Sequence, residues 1–227
     1  MRSAGWGLMA VLSVGLVSAC RSTVLAPTGD RVVEAVGCTV VLPGPDHIDT
    51  TGTVQWEYKE NKNDSALSVV LYYVELKNLN IFPSYKDRVV FNTSSWSLEL
   101  KLQLGDRGLY RLRRQEEEMS GKWIQLDVLE PLSKPEVWWN SSLVGSTIEM
   151  VCNVTVGMVD SYQWRKNGQP IPRNERYHLS QNNRVLHILK ATKSDSGRYS
   201  CKITNEVSQN ETSRELIING KWGISLL

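Results

Sequence analysis

The sequence has few of the side chains that build catalytic or metal sites. It contains three histidines and four cysteines, scattered along 227 residues. It has no glycine-rich phosphate loop, no HExxH pair and no nucleophile elbow. The formal net charge is +2, so no strong attraction to nucleic acid or to an anionic membrane is expected. We therefore expect no enzymatic activity, no metal, no cofactor and no small-molecule substrate.

Long hydrophobic runs are also missing. The apolar run Leu8–Val17 is shorter than the roughly 20 residues that cross a bilayer. It follows Arg2 and ends in small residues at Ala19, which is typical of a secretory signal peptide cleaved after Ala19. The tail after the last predicted strand is too short for a membrane span or a lipid-anchor signal. We predict a secreted, extracellular chain, with a truncated cell-surface receptor as the alternative.

The second half contains the most informative motif, DSGRYSC at Asp195–Cys201. In a β-sandwich the aspartate and glycine turn the chain, and Tyr199 sends its hydroxyl back to the upstream backbone. Cys201 then faces the opposite sheet, where Cys152 is the expected disulfide partner in an oxidising compartment. Trp164 lies between the two cysteines and is expected to pack on the bridge. This Cys…Trp…Cys spacing is typical of an immunoglobulin sandwich.

The first half repeats the same frame without its cysteines. GDRGLYRL at Gly105–Leu112 matches DSGRYSC, and Trp56 matches Trp164. Leu112 stands at the second cysteine position and Gly44 at the first, so packing of these two residues is expected to replace the bridge. The landmark residues shared by the two halves are Trp56, Arg88, Asp106 and Tyr110 in the first and Trp164, Arg176, Asp195 and Tyr199 in the second.

Arg88 and Asp106 are expected to form a charge-assisted pair that closes one end of the sandwich. The alternative is a solvent-exposed pair of little energetic value. A rival frame that puts Cys38 at the first cysteine position is rejected, because it disturbs the spacing to Trp56. We expect an antiparallel first strand that leaves Cys20 far from Cys38. Cys38 is therefore predicted to be free or to form an intermolecular bridge.

The fold class is all-β, with two tandem immunoglobulin sandwiches. The longer stretch between landmarks in the first half predicts a variable-type sandwich, with Ser68–Val74 as one added strand, followed by a constant-like sandwich. Two prolines predict a short, stiff linker. The predicted units are a signal peptide at 1–19, a first domain at 20–130, a linker at 131–134, a second domain at 135–219 and a tail at 220–227.

The sequence resembles the SLAM family of lymphocyte receptors and hepaCAM. The resemblance rests on Tyr85–Phe91, Leu98–Tyr110, Leu126–Val137 and Asp195–Gln209. The second domain has only the Cys152–Cys201 pair, which is closer to hepaCAM than to SLAM-type domains with an additional disulfide. Carcinoembryonic-antigen-type receptors, which also lack the first bridge, are the runner-up.

The resemblance implies a recognition module that docks through the sheet formed by strands G, F, C and C′ of the first domain. The expected partner is a second copy of the chain or a related immunoglobulin-superfamily surface protein. The alternative is a secreted soluble antagonist of such a receptor. Strand alternation predicts the outward residues of this sheet, with Trp123 as the candidate anchor. The predicted contact residues are Gln55, Glu57, Lys59, Arg111, Arg113, Glu116, Trp123 and Gln125.

Five N-x-Ser/Thr sequons predict a glycoprotein, because such sequons are glycosylated on exposed surfaces of secreted chains. They begin at Asn63, Asn92, Asn140, Asn153 and Asn210.

Overall fold

A computed structural model describes residue 20 and residues 23–24, 31–48, 51–115, 121–172 and 174–220. The predicted signal peptide and most of the predicted tail lie outside the described residues. Within the described residues the chain forms 18 strands and three single 3₁₀ turns, without an α-helix. The strands build four sheets, which confirms the predicted all-β class.

The first sandwich packs a four-stranded sheet, in the order β1-β3-β8-β7, against a six-stranded sheet, in the order β2-β10-β9-β4-β5-β6. The two added strands of a variable-type sandwich are β5 and β6. The strands are β1 (Thr23–Val24), β2 (Arg31–Ala35), β3 (Thr39–Leu42), β4 (Thr53–Lys59), β5 (Leu67–Tyr73), β6 (Asn78–Ile81), β7 (Val89–Phe91), β8 (Leu98–Lys101), β9 (Gly108–Arg114) and β10 (Ile124–Leu129).

The second sandwich consists of two four-stranded sheets, ordered β11-β12-β16-β15 and β14-β13-β17-β18. The strands are β11 (Glu136–Trp139), β12 (Ile148–Asn153), β13 (Ser161–Lys166), β14 (Gln169–Pro170), β15 (Tyr177–Ser180), β16 (Val185–Ile188), β17 (Gly197–Asn205) and β18 (Ser208–Leu216). The 3₁₀ turns are Pro83–Tyr85, Leu104–Asp106 and Lys193–Asp195.

The two sandwiches have the same register at the centre of their cores. In the first sandwich two inward residues of β3 pair with two of β8, and in the second two inward residues of β12 pair with two of β16. All eight side chains are fully buried. The two halves therefore share the register of these strands as well as the landmark residues matched in the sequence. The pairs are Val40↔Leu100 and Leu42↔Leu98 in the first sandwich, and Ile148↔Ile188 and Met150↔Leu186 in the second.

The end of the first sandwich is closed by Arg88 and Asp106. Arg88 Nη1 and Nη2 donate to the two Asp106 carboxylate oxygens, at 2.7 and 3.0 Å. Asp106 also accepts from the backbone N–H of Gln103 at 2.7 Å. The Tyr110 hydroxyl donates to the Asp106 carbonyl at 3.0 Å, and burial raises the pKa of Tyr110, so that hydroxyl stays protonated. The pair is enclosed, with side-chain exposures of 15% and 6%.

The second sandwich repeats this closure. Arg176 donates to both carboxylate oxygens of Asp195, at 2.6 and 2.9 Å. The Tyr199 hydroxyl donates to the Asp195 carbonyl at 2.7 Å, as a tyrosine corner requires. Asp195 accepts further hydrogen bonds from Tyr177 and Thr192. The structure joins Cys152 to Cys201, and Trp164 is buried in the same core.

The stability of the second sandwich is expected to depend on acid through Asp195. Burial by itself raises the pKa of this carboxyl group, but hydrogen bonds from Arg176, Thr192 and Tyr177 outweigh burial and hold the pKa well below its usual range. Because the folded-state pKa is depressed, the carboxylate stabilises the fold above its unfolded pKa of about 3.9, and this stabilisation is lost as the pH falls toward the folded pKa.

Hydrogen exchange of the β17 amides between pH 6 and pH 2, corrected for intrinsic exchange rates, measures this dependence. We expect the free energy of opening to fall below about pH 4 in the wild type. In Asp195→Asn the slope should be shallower. An identical slope in both proteins would assign the acid sensitivity to other carboxyl groups.

The predicted substitute for the missing bridge in the first sandwich is wrong. Gly44 lies beyond the end of β3, and a Cβ there would come within 1.8 Å of the Ser95 carbonyl oxygen. The absence of a side chain at Gly44 therefore lets its backbone approach that of Ser95 closely, and Gly44 contributes nothing to the packing of the core. The buried side chain at this place is Trp96, whose carbonyl accepts the Trp56 indole N–H at 2.9 Å. Leu112 is only partly buried against this core.

The prediction that Cys38 is free or intermolecular is also wrong, because it forms a disulfide with Cys20. The sequence predicts an antiparallel first strand. The short strand β1 instead runs parallel to β3, with Thr23 beside Val40. Parallel pairing places the start of β1 next to the start of β3, and the Cα atoms of the two cysteines are 5.2 Å apart.

The predicted linker is packed on the second sandwich. Leu132 is buried in the second core, and its backbone N–H donates to the Ser208 hydroxyl at 2.8 Å. Arg31 of the first sandwich donates two hydrogen bonds to the Glu206 carboxylate, both at 2.9 Å. The predicted linker therefore contributes to the core of the second sandwich, and the Arg31–Glu206 pair joins the two sandwiches. The predicted stiffness of the linker and the predicted domain boundaries stay predictions.

Candidate partner-binding face

The outward face of the six-stranded sheet brings the predicted contact residues together. Glu57 on β4 pairs in register with Arg111 on β9. Ile124 on β10 pairs with Tyr110, so Trp123, the residue before it, lies beside Arg111. Because side chains alternate along each strand, these three residues form a row across the sheet. We call the set Trp123, Arg111, Glu57, Lys59 and Arg113 the central cluster.

Glu57 is buried, although alternation predicted an exposed side chain. Only 5% of its side chain is exposed. The Glu57 carboxylate accepts from Arg111 Nη2 at 2.6 Å and Nε at 3.1 Å, and Arg113 Nη1 lies 3.4 Å away. Arg111 and Arg113 on the neighbouring strand cover the Glu57 carboxylate. The buried Glu57 carboxylate therefore holds the two more exposed arginines in place.

The Trp123 ring is partly exposed and lies next to two cations. Arg111 Cζ is 4.2 Å from the ring centroid, and Lys59 Nζ is 4.5 Å from it. A cation this close to an indole face is attracted by the ring quadrupole, by about 0.5–1 kcal/mol at an exposed site. The ring and the two cations therefore hold one another in a defined arrangement.

The other predicted contact residues lie at the margins of the central cluster. Gln55 is half-buried, and its amide donates to the Ser68 hydroxyl at 2.6 Å. Gln125 donates to Asp127 at 3.2 Å. Glu116 lies outside the described residues.

Sequence reasoning missed a group of exposed apolar side chains on the β5–β6 side of the sheet. Leu67 and Tyr73 lie in a strand where most residues are apolar, so its sequence does not show which side chains are exposed. Leu76 lies in a turn, where only its polar neighbours indicate exposure. The exposed fractions are Leu67 61%, Tyr73 37%, Leu76 75% and Leu79 37%.

Comparisons with known proteins identify the family of this architecture. Residues 140–218 match the immunoglobulin I-set domain. This chain belongs to the immunoglobulin superfamily. It is 30% identical over 165 residues to the human hepatic and glial cell adhesion molecule, across 70% of this chain and 39% of that protein. It is 36% identical over 110 residues to human HEPACAM family member 2, across 45% of this chain and 24% of that protein.

The immunoglobulin chain described here thus spans less than half the length of either curated relative. Its fold is also similar to the crystal structure of murine CEACAM1b, with a TM-score of 0.65 and 23% identity. That match covers 83% of this chain and 96% of the murine chain. This immunoglobulin pattern assigns β10, β9, β4 and β5 to strands G, F, C and C′ of the first domain.

All five predicted glycosylation sequons of this immunoglobulin chain fall on described residues. The asparagines at the first three sequons are exposed, and the last two are half-buried. The Asn92 side-chain carbonyl oxygen accepts hydrogen bonds from the backbone N–H groups of Ser94 and Ser95. Among the described residues there is no cluster of His, Cys, Asp and Glu that could hold a metal ion. No helix in the described part of the chain could cross a membrane.

Proposed function

We propose that this chain is an extracellular recognition module for cell adhesion, and that it contacts its partner through the GFCC′ face of the first domain. The partner is a second copy of the chain or a related immunoglobulin-superfamily surface protein. One relative supports the adhesion role by its name, the hepatic and glial cell adhesion molecule. In this proposal residues 20–130 carry recognition and residues 135–219 present them.

The central cluster is the observation that carries this proposal. Binding costs conformational entropy when flexible side chains are immobilised, at about 0.5–1.5 kcal/mol for each long side chain. Arg111 is already held by Glu57 and by Trp123, so its share of this cost is met before a partner arrives. Tryptophan and arginine are also the residues that most often dominate interface energetics.

The charge of the cluster favours an acidic surface as its counterpart. It carries three cations, Lys59, Arg111 and Arg113, against one carboxylate. In a two-fold dimer of identical chains, two copies of this cluster would repel each other because both are cationic. The cluster must therefore face an acidic region of the partner chain. The sequence supplies one directly after strand F, in the glutamates that follow Gln115.

Arg113→Glu tests this face, because 44% of that side chain is exposed and Arg111 still satisfies Glu57. We expect sedimentation velocity of the glycosylated wild type to show concentration-dependent dimers. The variant should weaken dimerisation by about tenfold or more, as reversal of a central interface charge commonly does.

Lys101→Glu is the matched control, since it makes the same charge change on an exposed residue of the opposite sheet in the same domain. It should leave dimerisation unchanged. Equal weakening by both variants would reject the GFCC′ face. A monomer at every concentration would reject the homophilic form, and binding to related surface proteins would then be tested with the same two variants.

A further inference from the structure

The second domain has a groove along the edge where strands β11 and β18 approach each other. Its volume is about 420 Å³. One wall carries the Trp138 ring, which is 56% exposed. The groove is lined by Lys134, Pro135, Glu136, Val137, Trp138, Thr212 and Arg214.

Arg214 fixes the shape of this groove. Its Nη1 donates to the Val137 carbonyl at 2.7 Å, which ties β18 to β11. Its Cζ lies 4.4 Å from the Trp139 ring centroid and 5.6 Å from that of Trp138. The guanidinium therefore lies within cation–π distance of both indole rings and connects the two strands that form the groove.

A predicted glycosylation sequon leads directly into the groove. Asn210, Thr212 and Arg214 alternate along β18, so their side chains lie on the same face of the strand. Thr212 is both the hydroxyl residue of the Asn210 sequon and part of the lining. Asn210 Nδ2 donates to the Leu132 carbonyl at 3.3 Å, which turns the side chain toward this edge. Thr212 lies about 7 Å along the strand from Asn210.

The chemistry of the groove suits a carbohydrate. The C–H face of a sugar ring is apolar and packs on an aromatic face, and its hydroxyls accept hydrogen bonds from arginine and lysine. Trp138 supplies the aromatic face, and Lys134 and Arg214 supply donors. We propose that this groove is a carbohydrate-binding site occupied by the chain's own Asn210-linked glycan, whose inner sugars lie along β18 and pack on Trp138.

This arrangement gives the glycan a structural task. Both β11 and β18 are edge strands of their sheets. Exposed edges can pair with other chains, and proteins commonly cover them. A glycan laid in the groove covers both edges at once. The task is independent of the partner face on the first domain, so failure of either proposal leaves the other standing.

The test is nuclear magnetic resonance of the full chain, secreted from mammalian cells with ¹³C-labelled glycans. Protons on the inner sugars of the Asn210 glycan should be displaced upfield by the ring current of Trp138. Asn210→Gln assigns these signals by removing them. Trp138→Leu should abolish the displacement while the glycan remains attached. Asn140→Gln removes another sequon of the same domain and should leave the displaced signals unchanged.

Three outcomes would overturn the proposal. Peptide mapping could find Asn210 without a glycan. The Asn210 sugars could resonate at the positions of unconstrained sugars, or keep their displacement in Trp138→Leu. To separate the two sources of sugar, free chitobiose is added to Asn210→Gln. Saturation transfer from Trp138 to chitobiose, combined with undisplaced signals in the wild type, would assign the groove to an external carbohydrate instead.

Discussion

Replacing Cys152 and Cys201 together by alanine should lower the free energy of unfolding of the second domain by about 4 kcal/mol. The bridge joins residues separated by 49 positions. In the loop-closure treatment, a cross-link of this span lowers the entropy of the unfolded chain, and this loss corresponds to about 4 kcal/mol at 25 °C. Single domains are commonly stable by only 5–15 kcal/mol. The variant should therefore open this domain far more often, which hydrogen exchange of the β17 amides measures directly.

The matched control is the double alanine variant of Cys20 and Cys38. Their separation is 18 positions, so the same treatment gives about 3 kcal/mol. This loss should appear in the first domain, with β17 exchange unchanged. A loss of similar size in both domains from either variant would show that the two domains unfold together.

Asp106→Ala should destabilise the first domain by about 3–5 kcal/mol, the usual cost of removing one partner of a buried ion pair. The variant removes the carboxylate that pairs with Arg88, whose side chain is only 15% exposed in the wild type. The carbonyls of Lys101 and Ser84 still accept from Arg88, at 2.8 and 3.1 Å, but they carry no opposite charge. Hydrogen exchange of the β9 amides measures the change.

The double variant Arg88→Met/Asp106→Leu is the control for this prediction. It removes both charges and replaces them with apolar side chains, which is often close to neutral for a buried pair. We expect it to be more stable than Asp106→Ala alone. A cost of less than about 1 kcal/mol for Asp106→Ala would instead match an exposed ion pair.

The repeated frame was predictable because it depends on local alternation. Val40 and Leu42, and their counterparts Ile148 and Met150, face inward at period two, and that period is visible in sequence. The Arg176–Asp195 pair was predictable because it recurs at the same place in both halves. Such features repeat within the chain, so one copy supports the other.

The features that were missed depend on neighbours distant in sequence. The burial of Glu57 follows from two arginines on the adjacent strand, which alternation within one strand cannot show. The Cys20–Cys38 bridge follows from the parallel direction of β1, which its two residues do not encode. Trp96 was missed because its backbone, at φ 54°, lies just outside a strand, where alternation no longer applies.

The path of strand β10 determines how the molecule carries tension. β10 pairs with β2 on one side, from Gln125↔Arg31 to Leu129↔Ala35, and with β9 on the other. The chain then runs from Leu129 into Leu132, which is anchored in the second core. A pull that separates the two domains acts along β10 and loads its ladder hydrogen bonds together, in shear. A load applied at Trp123 would therefore pass along β10, between β2 and β9, before it reaches the second domain.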